Sequence, residues 1–333
     1  MNRILRYRIV ITLCFAAALV AVTAVRHGPK DAEGLRRDLF WATKITWRHC
    51  ADGVIAGDSR ACRGLAPEVM ETELSGCRLL NFGFESVGYS EDYLAAIEAV
   101  LDPNSSRRVI LLGITPYSLT PVAVKNNEFE YRRRWLPYQS LAGLYARESL
   151  RFLRPMPVDE VIRRLVATGA APQSTVDSDY DYRADGWMAV DRSTGSATYL
   201  KRRRAVYAQN TVDAAIVQTL LRFVRKWRAA GIDVYAFRFP IAEVVFEIER
   251  DCSDFDEAAF VAALEHAGGV WIAIDRAGYA TYDGSHLGKR EAVRLSRALA
   301  RRMRSLTGTP AARAAVGGDV YAKRQAQTTP PDR

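Results

Sequence analysis

Short apolar runs and longer amphipathic stretches alternate along this chain. Apolar runs at 53–56, 78–81 and 108–112 are each followed by residues with turn or helical character, and none of these runs alternates in polarity. Strands without alternation are covered on both faces, as in parallel sheets. After a break the rhythm returns, with further apolar runs at 233–237 and 270–274. The pattern predicts an α/β domain with a doubly wound, five-stranded parallel sheet.

Helices are predicted between and after these strands, at 67–74, 90–101, 211–230, 254–266 and 288–306. Residues 117–205 interrupt the rhythm with aromatic and basic stretches, and this segment is too long for a simple crossover. It is predicted to be an insertion over the carboxyl edge of the sheet, suited to a lid or a substrate-binding cap. Within it we predict helices near 139–153 and 157–168 and a polar loop at 174–196.

The N-terminus has the charge pattern of an export signal. Arg3, Arg6 and Arg8 precede an apolar run at 9–25, so residues 1–28 are predicted to be a signal peptide or a signal-anchor. We favour the uncleaved anchor because the run reaches the lower limit for spanning a bilayer. Either way the arginines stay in the cytoplasm, and the main domain lies on the periplasmic or extracellular side of the membrane.

The domain organisation follows from these boundaries. A juxtamembrane connector, with a helix as the alternative at 31–50, is predicted at 29–50. The α/β domain is predicted at 51–306 with its insertion at 117–205, and a disordered tail at 307–333. Hydrophobic residues make up 49% and charged residues 26% of the sequence, which is ordinary for a globular protein.

The net charge of +9 is partly concentrated in clusters at 132–134, 201–204 and 301–302. Such clusters are typical of surfaces that bind anionic lipid or an acidic polymer, and also of ordinary solvated surface. The N-terminal export pattern disfavours nucleic acid as a partner, and no nucleic-acid-binding motif accompanies these clusters. The five cysteines show no C-x-x-C spacing, which argues against a zinc site. Disulfide pairing is left open.

Polar residues with catalytic potential follow the predicted strands. Ser59 comes directly after the first strand, and Asp283 and His286 follow the last one. The carboxyl ends of parallel strands meet at one crevice, so these residues are predicted to form a serine nucleophile, its base His286 and the orienting carboxylate Asp283. The alternative for each segment is ordinary turn chemistry with a surface histidine.

Oxyanion donors should lie between the nucleophile and the base. The candidates are the backbone amides of Ser59 and Gly83 and the side chains of Asn81 and Thr115. For substrate charge the candidates are Arg60 and Arg238, with surface salt bridges as the alternative.

These segments resemble the SGNH (GDSL-like) hydrolase superfamily. Gly57-Asp58-Ser59 resembles its first block, Asn81-Phe82-Gly83 its second, and Asp283 to His286 its last, over roughly residues 50–306. With its N-terminal segment the chain is most similar to membrane-tethered members that handle acyl groups on cell-envelope polymers, such as the alginate O-acetylation and teichoic acid D-alanine transfer proteins. The third block departs from the pattern, because Thr115 stands where an asparagine is expected.

The resemblance implies a flavodoxin-like SGNH fold and a Ser-His-Asp triad, with acyl chemistry that needs no metal and no organic cofactor. The implied function is a serine esterase or O-acyltransferase acting on an envelope polysaccharide. Its implied partners are the acylated polymer or acyl donor, inner-membrane lipid and an envelope acyltransferase. The alternatives are a catalytically inactive envelope protein that binds an anionic polymer, and a cytoplasmic flavodoxin-like domain.

Overall fold

A computed structural model of the chain describes residues 37–135, 180–191, 204–207 and 210–307, with short pieces at 7–8, 11–15 and 143. The strands are β1 (Gly53–Gly57), β2 (Leu79–Asn81), β3 (Val109–Ile114), β4 (Tyr180–Tyr182), β5 (Met188–Val190), β6 (Asp233–Arg238) and β7 (Val270–Trp271). The helices are α1 (Arg37–Thr46), α2 (Ser59–Gly64), α3 (Pro67–Glu73), α4 (Glu91–Val100), α5 (Pro121–Lys125), α6 (Glu128–Trp135), α7 (Ala214–Ala229), α8 (Glu243–Cys252), α9 (Glu257–His266) and α10 (Lys289–Thr307).

The central sheet confirms the predicted five parallel strands. Its order is β2-β1-β3-β6-β7, and every pairing in it is parallel. If the five strands of this sheet are numbered one to five along the chain, their order is 2-1-3-4-5, which is one of the common doubly wound arrangements. In this arrangement ligands bind in the crevice between β1 and β3. The last strand is shorter than the predicted 270–274, although the amide of Ile272 still donates to Ala236 O at 2.8 Å.

Alternate residues of the strands bury two separate cores. Val54, Ile110 and Val234 face one side, where they pack with apolar residues of α1, α4, α7 and α9. Ile55 and Leu111 face the other side, where α2, α3, α8 and α10 cover the sheet. Because side chains alternate between two buried faces, the central strands have apolar interiors, and their amide and charged residues stand only at strand ends, as Asn81, Asp233 and Arg238 do.

Local signals place most helix starts correctly. Ser90 caps α4 by accepting a hydrogen bond from the amide of Tyr93, and Pro67 begins α3. Helix α8 was not predicted. Its buried face contains Glu249 beside Val245 and Ile248, and the carboxylate breaks the apolar spacing that marks a helix.

The predicted connector needs a correction. Helix α1 lies within residues 29–50, but Phe40, Trp41 and Ile45 are buried in the core and not exposed as in a linker. The folded domain therefore begins before the predicted boundary at residue 51. Most of the predicted anchor lies outside the described residues, and no helix within the described part of the chain is long and apolar enough to cross a membrane.

Two parts of the predicted insertion are described. Residues 117–135 form a 3₁₀ turn (Tyr117–Leu119), α5 and α6, and Phe129 packs into the core. The polar loop predicted at 174–196 contains an antiparallel hairpin, β4–β5, where Tyr180 pairs with Val190. The helices predicted at 139–153 and 157–168 and the tail at 307–333 lie outside the described residues, apart from Gly143 and Thr307. All five cysteines are free thiols.

Candidate active site

Three side chains from opposite ends of the sequence meet at the carboxyl edge of the sheet. Ser59 is the first residue of α2, directly beyond β1, while Asp283 and His286 lie in the loop before α10. The Ser59 hydroxyl lies 2.7 Å from His286 Nε2, and His286 Nδ1 lies 2.7 Å from Asp283 Oδ2. Ser59 is half-buried and so remains in contact with solvent.

The loop around Asp283 fixes the imidazole. Asp283 Oδ1 accepts hydrogen bonds from the amides of Ser285 and His286 at 2.9 and 2.8 Å, while Oδ2 faces the ring. Burial alone raises the pKa of Asp283, but the hydrogen bond and charge interaction with the His286 ring, together with the two amide hydrogen bonds, outweigh it and lower the pKa to about 2. An ionised carboxylate holds the proton on Nδ1 and leaves Nε2 free to accept the serine proton.

A strained turn presents the serine. Gly57 has φ +145°, and a Cβ there would lie 2.8 Å from the carbonyl oxygen of Gly113, so only glycine fits. The next residue, Asp58, caps α2 by accepting the amide of Arg60 at 2.9 Å. Its other carboxylate oxygen accepts the hydroxyl of Thr115 at 2.6 Å. The turn after β1 is thereby attached to the end of β3.

This arrangement corrects two of the predicted oxyanion donors. The hydroxyl of Thr115 is buried and committed to Asp58. The side-chain nitrogen of Asn81, Nδ2, donates to the backbone carbonyls of Ala61 and Leu65 at 2.8 and 2.9 Å. Both side chains therefore join the strand ends to α2, and neither presents a free donor to a substrate.

The two predicted backbone donors differ from each other. The amide of Gly83 donates to Asn81 Oδ1 at 3.0 Å, so it is engaged within its own loop. The amide of Ser59 is the first of α2, and first-turn amides have no intrahelical acceptor. The capping carboxylate of Asp58 takes the amide of Arg60 instead. Of the four candidates, Ser59 N–H remains the best placed for an oxyanion.

Arg60 and Arg238 are not substrate contacts in this structure. Arg60 is 2% exposed, and its guanidinium pairs with Glu249 and donates through Nε to the hydroxyl of Ser285 at 2.9 Å. Arg238 is 6% exposed and bonds Glu249 Oε2 at 3.0 Å and Glu257 Oε2 at 2.7 Å. Both arginines thus belong to a buried ion network. The sequence had suggested either substrate contacts or surface salt bridges for them, and the structure shows neither.

That network joins the neighbours of the nucleophile and the base. Arg60 directly follows Ser59, and Ser285 directly precedes His286, so their hydrogen bond links the two halves of the triad. Buried charge must be paired to be tolerated, and Glu249, which is fully buried on α8, supplies the anion.

Sequence reasoning missed a fully buried lysine behind the site. Lys44 Nζ donates to the carbonyls of Gly83 and Gly186 at 2.5 and 2.9 Å, which joins α1, the loop after β2 and the β4–β5 hairpin. Burial lowers the pKa of Lys44. The signal was available, because Lys44 follows Trp41 and Phe40 by three and four residues and so shares their buried helix face.

A second missed group lies beside the imidazole. The ring of Tyr282 stacks on His286 with centroids 5.8 Å apart, and its hydroxyl accepts a hydrogen bond from Arg63 at 3.0 Å. Arg63 also pairs with Glu85 and lies over the ring of Tyr180. Burial raises the pKa of Tyr282 to about 12 despite the opposing effect of Arg63, so the hydroxyl stays protonated at neutral pH.

No known protein-family model matches this chain, and no curated protein matches it. The chemistry of the site therefore has to be argued from its geometry. In a hydrogen-bonded series of a serine hydroxyl, an imidazole and an ionised carboxylate, the imidazole can take the serine proton as the serine attacks a carbonyl. Among the described residues, no cluster of histidine, cysteine, aspartate and glutamate side chains is suited to hold a metal ion.

Proposed function

We propose that this protein is an exported, membrane-anchored serine esterase or O-acyltransferase of the SGNH type, acting on acyl groups of a cell-envelope polysaccharide. The observation that carries the proposal is the hydrogen-bonded series from Ser59 through His286 to Asp283, with 2.7 Å at each step. Such a series activates an otherwise weak hydroxyl nucleophile.

The reaction has two half-steps. Ser59 Oγ attacks the acyl carbonyl while His286 Nε2 accepts its proton, and the Ser59 amide donates to the developing oxyanion. The protonated imidazole, paired with Asp283, then gives its proton to the leaving alcohol, and an acyl-serine remains. His286 next removes a proton from water or a sugar hydroxyl, whose oxygen attacks the acyl-serine. The protonated imidazole then returns this proton to Ser59 Oγ as the C–O bond to serine breaks, which restores the free hydroxyl.

The SGNH assignment is supported by where the resembling blocks lie in the fold. The first block begins at Gly57, the last residue of β1, and the second at Asn81, the last residue of β2. Asp283 to His286 precedes α10. Export is supported by the basic and then apolar character of residues 1–28. An envelope polysaccharide as substrate rests on the resemblance to membrane-tethered members of the superfamily.

A fluorophosphonate probe tests the proposal directly, since it labels only activated serines. The full-length protein in neutral detergent is expected to be labelled at Ser59, and Ser59→Ala abolishes this labelling. His286→Ala slows it by about 10³-fold or more because the base is lost. Ser86→Ala is the matched control, since Ser86 is another half-buried serine of the domain. Equal labelling of the wild type and Ser59→Ala, or no labelling of either, contradicts the proposal.

One observation favours a second candidate, a non-catalytic envelope protein that binds an anionic polymer. The donors of Asn81, Gly83 and Thr115 are engaged within the protein, and loss of one oxyanion donor alone costs about 10²–10³ in rate. If this second candidate is correct, the fluorophosphonate probe does not label the folded protein, and Ser59→Ala retains full polymer binding and biological function.

A further inference from the structure

The proposed nucleophile and its base come from distant parts of the chain. Ser59 and His286 are 227 positions apart, so only contacts between folded elements keep the hydroxyl and Nε2 at 2.7 Å from each other. The hydrogen bond between Nδ1 and Asp283 holds one atom of the imidazole, but it does not by itself set the plane of the ring. Efficient proton transfer needs Nε2 to be aimed at the hydroxyl as well as close to it. A further restraint on the ring is therefore expected.

The ring of Tyr282 lies against this imidazole. The two planes are inclined by 18° and their centroids are 5.8 Å apart, which is within the range of offset stacking between aromatic rings. The turn of the Asp-x-x-His loop brings the two rings together, because the amide of Tyr282 donates to the carbonyl of His286 at 3.0 Å. Tyr282 is 7% exposed. A flat and buried neighbour of this kind limits the rotation of the imidazole.

The far end of the tyrosine ring is attached to the helix that carries the nucleophile. Arg63 Nη1 donates to the Tyr282 hydroxyl at 3.0 Å. Arg63 follows Ser59 by four residues, which is about one turn along α2. Hydrogen bonds from a charged donor are stronger than those between neutral groups. Tyr282 therefore connects α2 to the face of the His286 ring.

Arg63 is itself held by several neighbours. Its guanidinium pairs with Glu85 in the loop after β2 and lies over the ring of Tyr180, 5.7 Å from the ring centroid. Its backbone carbonyl accepts the indole N–H of Trp187 at 2.8 Å. The side chain of Arg63 is 13% exposed, so water competes little for these contacts. The loop after β2 and the β4–β5 hairpin thus fix the guanidinium that holds Tyr282.

A second attachment joins α2 to the same loop, but it acts on the backbone. Arg60 Nε donates to the hydroxyl of Ser285 at 2.9 Å, which restrains the chain directly before His286. The contact between Arg63 and Tyr282 acts on the ring of His286 instead. The two attachments therefore restrain different parts of the base.

We propose that Tyr282, held by Arg63, is a positioning residue that fixes the plane of the His286 ring and so directs Nε2 at the Ser59 hydroxyl. This proposal rests on the proposed function and adds to it a group that acts through the base. Reacting groups work best when their geometry is set in advance, and a misplacement of about 1 Å can cost about 10²-fold in rate.

The first test measures the rate of fluorophosphonate labelling of Ser59 in the full-length protein in neutral detergent. Tyr282→Leu removes the ring and should slow labelling about 10²-fold, while Tyr282→Phe keeps the ring without its hydroxyl and should slow labelling about tenfold. Tyr279→Leu and Tyr279→Phe are the matched controls. Tyr279 is a half-buried tyrosine three residues before Tyr282, and its ring also lies beside a guanidinium, that of Arg294. Both controls should be labelled within about twofold of the wild-type rate.

A double-mutant cycle tests the attachment to α2. Arg63→Met should slow labelling about as much as Tyr282→Phe, and the double variant should be no slower than the slower single variant, because both changes remove the same hydrogen bond. If the two effects multiply, Arg63 does not act through the hydroxyl of Tyr282 and the proposal is wrong.

A spectroscopic readout separates positioning from a general loss of structure. The proton between His286 Nδ1 and Asp283 is expected to give a low-field NMR signal, which is identified by its loss in His286→Ala. Tyr282→Leu should shift or broaden this signal, and Tyr279→Leu should leave it in place, while urea unfolding establishes which variants are folded. If Tyr282→Leu does not fold, Tyr282→Phe decides the question by both readouts.

Labelling of Tyr282→Leu at the wild-type rate, or equal losses in the two leucine variants, overturns the proposal. Failure of the proposed function is detected separately, because then the wild type itself is not labelled. In that event the low-field signal alone decides whether Tyr282 positions the ring. If the wild type lacks this signal, or if the signal is the same in Tyr282→Leu, the positioning role is wrong.

Discussion

The buried ion network offers the sharpest test of how this fold is held together. Glu249 is completely buried and faces two guanidinium groups, those of Arg60 and Arg238, which are 2% and 6% exposed. Changing Glu249 to Gln keeps the shape of the side chain and removes its charge. Arg238 retains Glu257, whereas Arg60 loses its anionic partner and keeps its hydrogen bond to the neutral hydroxyl of Ser285.

The expected loss follows from the cost of an unpaired buried charge. Removing one partner of a buried ion pair typically destabilises a protein by about 3–5 kcal/mol, and we expect Glu249→Gln to lie in this range. The free energy of unfolding is measured by urea titration of the full-length protein in neutral detergent, with the slope checked for constancy. Arg60→Met combined with Glu249→Gln should cost less than the sum of the two single changes, because the pair is removed together.

Glu73→Gln is the matched control. Glu73 also pairs with three arginines, but these are 49–60% exposed, so water replaces the lost contacts and the cost should stay below about 1 kcal/mol. A loss below about 1 kcal/mol for Glu249→Gln, or equal losses for the two variants, refutes the view that burial makes this network essential.

Three further changes test individual groups of the structure. Because the pKa of Asp283 is lowered to about 2, its ionised carboxylate contributes fully to stability above pH 4, and this contribution is lost as the pH falls towards 2. Asp283→Asn should therefore make the free energy of unfolding less sensitive to acid, which is measured by comparing unfolding at pH 3 and pH 6. Burial lowers the pKa of Lys44 from its ordinary 10.5, so between the lowered pKa and 10.5 the unfolded state binds more protons than the folded state. The wild type should therefore gain stability relative to Lys44→Met as the pH rises from 7 towards 10.5. A difference in unfolding free energy between the two proteins that does not change with pH contradicts this. Gly57→Ala should destabilise by about 1–3 kcal/mol through strain and a backbone clash. The loss should exceed that of Gly76→Ala, since Gly76 also has a positive φ, +77° against +145°, but has open space around its Cβ; thermal unfolding compares the two.

Much of the fold could be predicted from the chain because its signals are local. Unbroken apolar runs such as Val109 to Leu112 mark strands with two covered faces, and Ser90 and Pro67 mark helix starts through their own backbone chemistry. Helix α8 was missed because Glu249 occupies a core position, where a carboxylate is stable only with Arg60 and Arg238 beside it. Those partners come from α2 and β6, so a window along the sequence cannot reveal them.

The candidate site shows the same division. The meeting of Ser59 with His286 follows from strand order, since both residues come after strands of one parallel sheet. The roles expected for Asn81, Thr115, Arg60 and Arg238 depended on which way each side chain faces. In the structure each faces inward, where the protein already supplies its hydrogen-bond partners.

The sequence by itself determined the parallel sheet, the positions of most helices and the residues at the strand ends, because these depend on periodicity and on the chemistry of single positions. Only the tertiary structure decided which polar groups are free. Lys44 Nζ, Gly83 N and the guanidinium of Arg60 are donors whose acceptors lie in other segments of the chain or across a loop. Satisfaction of buried donors depends on distances between elements, which the order of residues does not specify.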